Sequence, residues 1–255
     1  MYVALTGRGG PVVVDIPKDI QTRETGDDYF FDPQAYEPKL PGFIYAPTPD
    51  SEKIQTALRM VNQSERPIIL CGHGVVTTNS GVWLRQFAEK SCIPFAFTLH
   101  GLSAIPVDHP LSLGMVGMHG TVEANRALLN ADLIISFGMR FDDRVTGNLD
   151  LFALDARVIH VEIDPSEIDK NVKTTLSIHA DIGETLKLLA EDPGIVTLPR
   201  RPWFQLIDGY RSEIAADVQK EVDAGIGKEG QLLMKSIVSK LSQVTRGKDI
   251  IVSDV

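Results

Sequence analysis

Leu133-Ile-Ile-Ser-Phe137 runs directly into Gly138-Met-Arg-Phe-Asp-Asp-Arg-Val-Thr-Gly147, and this junction decides the fold. Five uncharged residues without polar alternation read as a strand buried on both faces, and the glycine and charges behind it end that strand abruptly. Such a strand belongs in a parallel sheet with helices on either side. The same reading extends in both directions. Pro67-Ile-Ile-Leu-Cys71, Phe95-Ala-Phe-Thr98, Val158-Ile-His-Val-Glu-Ile163 and Ser177-Ile-His-Ala180 are further strands. Apolar residues at helical spacing mark helices over 82–88, 122–129 and 184–190, with a short one near 165–169. An earlier helix opens at Thr48-Pro49, a capping residue followed by proline in the first turn, and carries Ile54, Ala57, Leu58 and Val61. This alternation predicts an α/β fold: a doubly wound, Rossmann-like parallel sheet.

Outside that block the pattern changes. Gly10-Pro-Val-Val-Val-Asp-Ile-Pro17 reads as a buried strand, and residues 19–47 are Asp-, Pro- and Tyr-rich without periodicity. Beyond Pro199-Arg-Arg-Pro202, helices over 203–222 and 230–241 flank Ala224-Gly-Ile-Gly-Lys228, and Asp249-Ile-Ile-Val-Ser-Asp-Val255 is strand-like again. The division expected is 1–21 as the end of one domain, 22–47 as linker, 48–194 as the central domain, and 195–255 as linker and the start of another. Strands left unpaired at both ends invite aggregation, so the sequence is expected to be an excerpt of a longer protein.

Composition excludes several classes. Of 255 residues, 25 are basic and 34 acidic, a net charge of −9 with no basic run, which argues against nucleic acid or an anionic membrane as partner. The 43% apolar content suits a globular core. No apolar stretch reaches the roughly 18 residues of a membrane span. Cys71 and Cys92 alone fit neither a zinc site nor a disulfide framework, and a cytoplasmic location is expected.

Ligands of such sheets sit beyond the carboxyl ends of the strands. There the sequence places Gly72-His-Gly74, Thr98-Leu-His-Gly-Leu102, Gly138 to Gly147 and Glu162-Ile-Asp-Pro165. Leu113-Gly-Met-Val-Gly-Met-His-Gly-Thr121 leads into a helix N-terminus, which suits phosphate. Bland readings stand beside these. Gly72-His-Gly74 reads equally as an ordinary βα turn, and Val75, Val76 and Thr77 break the dinucleotide fingerprint. Glu162 suits a ribose hydroxyl or a helix cap, and Asp142, Asp143 and Arg144 suit a solvated charge cluster. No metal set is evident, since the adjacent carboxylates of Asp142 and Asp143 point apart on extended backbone. The residues by themselves reach a nucleotide-binding α/β domain.

Taken together these segments resemble acetolactate (acetohydroxyacid) synthase large subunits, a thiamine-diphosphate-dependent family. Gly7-Arg-Gly-Gly-Pro-Val-Val-Val-Asp-Ile-Pro-Lys-Asp-Ile-Gln21 is similar to the end of that family's pyrimidine-binding domain. Thr98-Leu-His-Gly-Leu, the Leu113 to Thr121 loop, Gly138 to Gly147 and His160-Val-Glu-Ile-Asp164 resemble its FAD-binding central domain in the right order. The tail from about 200 resembles the opening of the diphosphate-binding domain.

The resemblance implies a transferase that condenses two pyruvates, or pyruvate and 2-ketobutyrate, with loss of CO2, in branched-chain amino acid biosynthesis. It implies FAD as a structural cofactor, with thiamine diphosphate and Mg2+ in the complete enzyme, small 2-keto acids as substrates and a homo-oligomer. It leaves a regulatory subunit open. Carried over by position, the FAD contacts are Arg8, Gly72, His73, Gly74, Thr98, Leu99, Gly117, Met118, His119, Gly138, Arg140, Asp142, Arg144, Val145, Glu162, Ile163 and Asp181. Lys18, Met118, Asp143 and Arg144 would line the substrate approach, with Asp143 orienting the Arg144 guanidinium. The family's catalytic glutamate and its G-D-G metal segment have no counterpart in the 255 residues, so no catalytic residue is expected within this chain. Departures from the family are His73 and Gly9 for a common glycine and proline, His100 for methionine, Glu162 for aspartate, and Ser103 for glycine. Other thiamine-diphosphate enzymes, such as a pyruvate oxidase or glyoxylate carboligase, and a stand-alone nucleotide-binding module are the alternatives.

Overall fold

The computed structural model describes residues 2–5, 7–24, 26, 47–227, 230–246 and 248–252. Six strands form one sheet: β1 (Pro67–Cys71), β2 (Phe95–Phe97), β3 (Ser112–Met115), β4 (Leu133–Phe137), β5 (Arg157–Glu162) and β6 (Leu176–His179). Their order is β3-β2-β1-β4-β5-β6, and every neighbouring pair is parallel. The chain is the doubly wound α/β fold expected from the strand pattern. The helices in chain order are α1 (Tyr2–Leu5), α2 (Lys18–Gln21), α3 (Ser51–Gln63), α4 (His73–Thr77), α5 (Gly81–Ser91), α6 (Val122–Asn130), α7 (Asp143–Thr146), α8 (Ile182–Glu191), α9 (Arg201–Ala224) and α10 (Met234–Thr245).

Successive strand residues face opposite ways, and the two resulting cores follow that period of two. Ile69, Cys71, Ile135, Phe137, Ile159 and Val161 pack against α3, α5 and α8. Ile68, Leu70, Ile134 and Val158 pack on the other face with Ala124, Ala127 and Leu128 of α6. Trp203 and Ile207, in the first turns of α9, belong to this second core, and the Trp203 indole N–H donates to the Pro67 carbonyl at 3.0 Å. The strand order reverses between β1 and β4, which opens a crevice at their carboxyl ends.

Several local readings are corrected. Asp50, not Thr48, caps α3: its carboxylate accepts from the backbone N–H of Glu52 at 2.8 Å and of Lys53 at 3.4 Å. The stretch read as a loop before α6 begins with edge strand β3, which Gly114 and a register shift against β2 had disguised. The turn at Gly72 continues into the single helical turn α4. Gly10 to Pro17 forms no strand. Val13 and Val14 are exposed, because β-branched residues need a neighbouring ladder and this run has none among the described residues. Residues 249–252 are likewise unpaired, and 253–255 lie outside the described residues, as does most of the connector at 22–47. Among the described residues no helix is long and apolar enough to cross a membrane, and no group of three or more His, Cys, Asp or Glu is placed to hold a metal ion.

Candidate functional site

At the switch point the turns after β1 and β4 are bonded to each other. Gly72 N–H donates to Phe137 O at 2.9 Å, Gly74 N–H to Gly138 O at 3.2 Å, and Gly138 N–H to Val161 O at 2.9 Å. A Cβ on Gly72 would lie 2.1 Å from Gly138 O, and one on Gly138 (φ +61°) 2.5 Å from Gly74 Cα. Only glycine permits this crossing. A second crossing joins the loop before α6 to α7. Gly117 has φ +103°, a Cβ there would lie 2.4 Å from Arg144 O, and Met118 N–H donates to that same carbonyl at 2.9 Å.

Above these crossings lies a cavity of about 1100 Å³. Most residues expected at a cofactor site line it: Arg8, His73, Gly74, Thr98, Leu99, Met118, His119, Gly138, Arg140, Asp142, Arg144, Val145, Glu162, Ile163 and Asp181. Gly72 and Gly117 do not line it; they make the backbone crossings that shape it. Lys18 and Asp143 also lie outside the lining, Lys18 on the exposed turn α2 and Asp143 exposed at the start of α7. Among the described residues no ion pair joins Asp143 to Arg144. Residues beyond those expected also line it, among them Thr77, Thr78, Met139, Phe141 and Ile182. Thr77 and Thr78 were hidden by the unrecognised helical turn α4. Phe141 adopts φ 51° and is buried, with its ring edge-on to Phe152 and His160; no sequence signal marks that geometry.

The polar groups divide by environment. Glu162 is 5% exposed, and its Oε1 accepts from Ile163 N–H at 2.9 Å and Asp164 N–H at 3.2 Å. Burial raises its pKa above the ordinary carboxylate value, against the pull of those two amides. His160, beneath it, is fully buried; its Nε2–H donates to Met139 O at 2.9 Å and burial lowers its pKa. Arg8 Nη1 bridges Glu167 Oε1 at 3.0 Å and Asp164 Oδ2 at 3.3 Å, which ties the segment after α1 to the loop after β5. Arg140 Nη2 donates to Asp142 Oδ2 at 3.3 Å, while Asp142 Oδ1 is buried with no partner among the described residues. His73 Nδ1 donates to His100 O at 3.2 Å, and their rings stand edge to face. The backbone bonds of Gly72 and Gly74 on either side of His73 are formed. Ser103 holds φ 78°, in the left-handed region that favours glycine.

The family model described as thiamine pyrophosphate enzyme, central domain, matches residues 54–189, more than half of the chain. The chain belongs to the thiamine pyrophosphate enzyme family. The match covers the six-stranded sheet and both glycine crossings of this thiamine pyrophosphate enzyme domain. The chain is 44% identical over 190 residues to the acetolactate synthase large subunit of Corynebacterium glutamicum, covering 74% of the chain and 30% of that protein. It is 38% identical over 262 residues to the probable acetolactate synthase 2, chloroplastic, of Oryza sativa subsp. japonica, covering 100% of the chain and 38% of the relative. With the acetolactate synthase large subunit of Haemophilus influenzae the identity is 35% over 260 residues, covering 100% and 43%. The resemblance read from the loop segments is borne out. The chain spans less than half the length of these relatives.

Proposed function

We propose that the chain is the FAD-holding central part of an acetolactate synthase large subunit. The complete enzyme would condense two pyruvates, or pyruvate and 2-ketobutyrate, with release of CO2, using thiamine diphosphate and Mg2+ held by other parts of the protein. The observation that carries this reading is the crossing of Gly72, Gly74 and Gly138 beneath a cavity large enough for a dinucleotide, at or above the roughly 300–1,000 Å³ of ordinary small-molecule pockets.

The residues present fit the cofactor. The Arg140 guanidinium, which keeps donors beyond the one paired with Asp142, suits a diphosphate. Glu162 is an acceptor for ribose hydroxyls at the strand end. Asp142 Oδ1, buried without a partner among the described residues, is an acceptor for a ligand N–H or O–H. When bound, FAD would supply a rigid structural surface and no net redox change.

Arg144 is proposed to receive the carboxylate of the second keto acid. Its guanidinium has no carboxylate partner among the described residues, and its fork matches a carboxylate bidentately. Leu99 and Met118 stand at the exposed rim of the same cavity. This chain would thus hold the cofactor and line the acceptor's approach without carrying the catalytic groups. The complete protein, assayed with pyruvate, thiamine diphosphate and Mg2+, should form acetolactate and lose that activity when flavin is stripped. Activity indifferent to flavin, or restored by a nicotinamide dinucleotide, would refute the reading.

A further inference from the structure

The Arg144 guanidinium bonds to sulfur: Nη1 lies 3.9 Å from the Met118 thioether. The backbone enforces this proximity, since Met118 N–H donates to Arg144 O and Gly117 admits the close approach. A thioether is a weak acceptor, so the guanidinium is held loosely. Met118 is 63% exposed at the cavity rim, whereas Met139 is 4% and Met60 7% exposed. We propose that Met118 is an oxidation site whose sulfoxide captures Arg144. A hydroperoxide transfers one oxygen to Sδ; the sulfur loses two electrons, the peroxide O–O bond breaks, and water or an alcohol leaves. The new S=O oxygen is a strong acceptor already within reach of Nη1, so the same charged donor exchanges a weak contact with sulfur for a strong hydrogen bond to oxygen. The guanidinium is then drawn to the rim and away from an incoming carboxylate. Sulfoxide reduction reverses the capture. The consequence for acceptor use rests on the reading of Arg144 given above; the oxidation and the capture do not.

The test treats the 255-residue chain with dilute hydrogen peroxide, maps sulfoxide at each methionine by peptide mass spectrometry, and labels arginines with phenylglyoxal before and after. Met118 should oxidise together with the exposed Met234, well ahead of Met139 and Met60. Labelling of Arg144 should then slow about ten-fold, the factor expected of one added charge-assisted bond. Met118→Leu should abolish that slowing, Met234→Leu should leave it, and methionine sulfoxide reductase should restore the original rate. Oxidation of Met118 no faster than Met139, or unchanged Arg144 labelling once Met118 is oxidised, overturns the proposal. In the complete enzyme, capture accompanied by unchanged acceptor use would uphold the oxidation site and overturn the role given to Arg144.

Discussion

Replacement of Arg200 by methionine is expected to be among the most destabilising single changes in the chain. The side chain is 9% exposed and faces carbonyls rather than a carboxylate. Its Nε donates to Ser64 O at 3.0 Å, Nη2 to Val61 O at 2.8 Å and Nη1 to Ser91 O at 2.6 Å, with Leu198 O at 3.3 Å. Ser64 O and Ser91 O lie at the C-terminal ends of α3 and α5, where helix carbonyls lack intrahelical donors, while Val61 O also accepts from Ser64 Oγ at 2.7 Å and Ser64 N–H at 3.3 Å. One cation thus closes two helix C-termini, where the helix dipole favours positive charge. Burial lowers the guanidinium pKa, partly offset by Asp132, but arginine remains charged. Methionine keeps much of the volume and none of the donors. Leaving the Ser64 and Ser91 carbonyls without a donor, and Val61 O with Ser64 alone, should cost about 3–5 kcal/mol. The positive φ of 41° is common to both residues and cancels. In urea unfolding followed by far-ultraviolet circular dichroism, this corresponds to a midpoint lower by about 1–2 M at an m value of about 2–3 kcal/mol/M. Arg200→Lys, which keeps the charge but not the fork, should fall between the two. A midpoint within about 0.3 M of the parent, with m unchanged, would refute the account of how α3 and α5 are terminated.

Gly138→Ala should cost about 1–3 kcal/mol and abolish dinucleotide binding, since the new methyl meets Gly74 in a left-handed turn; denaturant midpoints and ligand titration check both parts. His160 is held neutral, so the unfolded chain takes up a proton below its ordinary pKa of 6.5 that the folded chain resists. Its contribution is fully present above pH 6.5 and lost as pH falls from there through the lowered folded value. His160→Phe should flatten the slope of urea midpoint between pH 7 and 5, and an unchanged slope would contradict the neutral assignment. In the complete enzyme, Arg144→Lys should impair acceptor addition by roughly 10- to 150-fold, equivalent to about 1.5–3 kcal/mol, and pyruvate decarboxylation much less. Loss of flavin with unchanged acceptor partitioning would make Arg144 a cofactor ligand instead.

The sheet was legible because its strands are buried on both faces. Runs such as Leu133 to Phe137 carry no competing periodicity. β3 was not legible, since Ser112-Leu-Gly-Met115 is short and glycine-bearing and gains its identity only by pairing with β2. The run from Val12 to Val14 failed in the opposite sense: strong β-propensity without a ladder neighbour gives an exposed segment. At the site, the segments carrying the family resemblance pointed to residues that converge on one cavity. The reason for each glycine was invisible, because it lies in backbone crossings between residues distant in sequence, as with Gly72 and Gly138 or Gly117 and Arg144. The role of Arg200 was hidden for the same reason, since its partners come from two helices far upstream.

The central claim is that the cavity above Gly72, Gly74 and Gly138 holds a flavin dinucleotide. Titrating the 255-residue chain into FAD, with flavin fluorescence as the signal and NAD as competitor, tests it most directly. The account predicts saturable quenching with a Kd in the micromolar to sub-millimolar range, a binding free energy of roughly −5 to −8 kcal/mol, lost in Gly138→Ala and not displaced by equimolar NAD. No saturable response up to about 1 mM, or displacement of FAD by NAD, would contradict it.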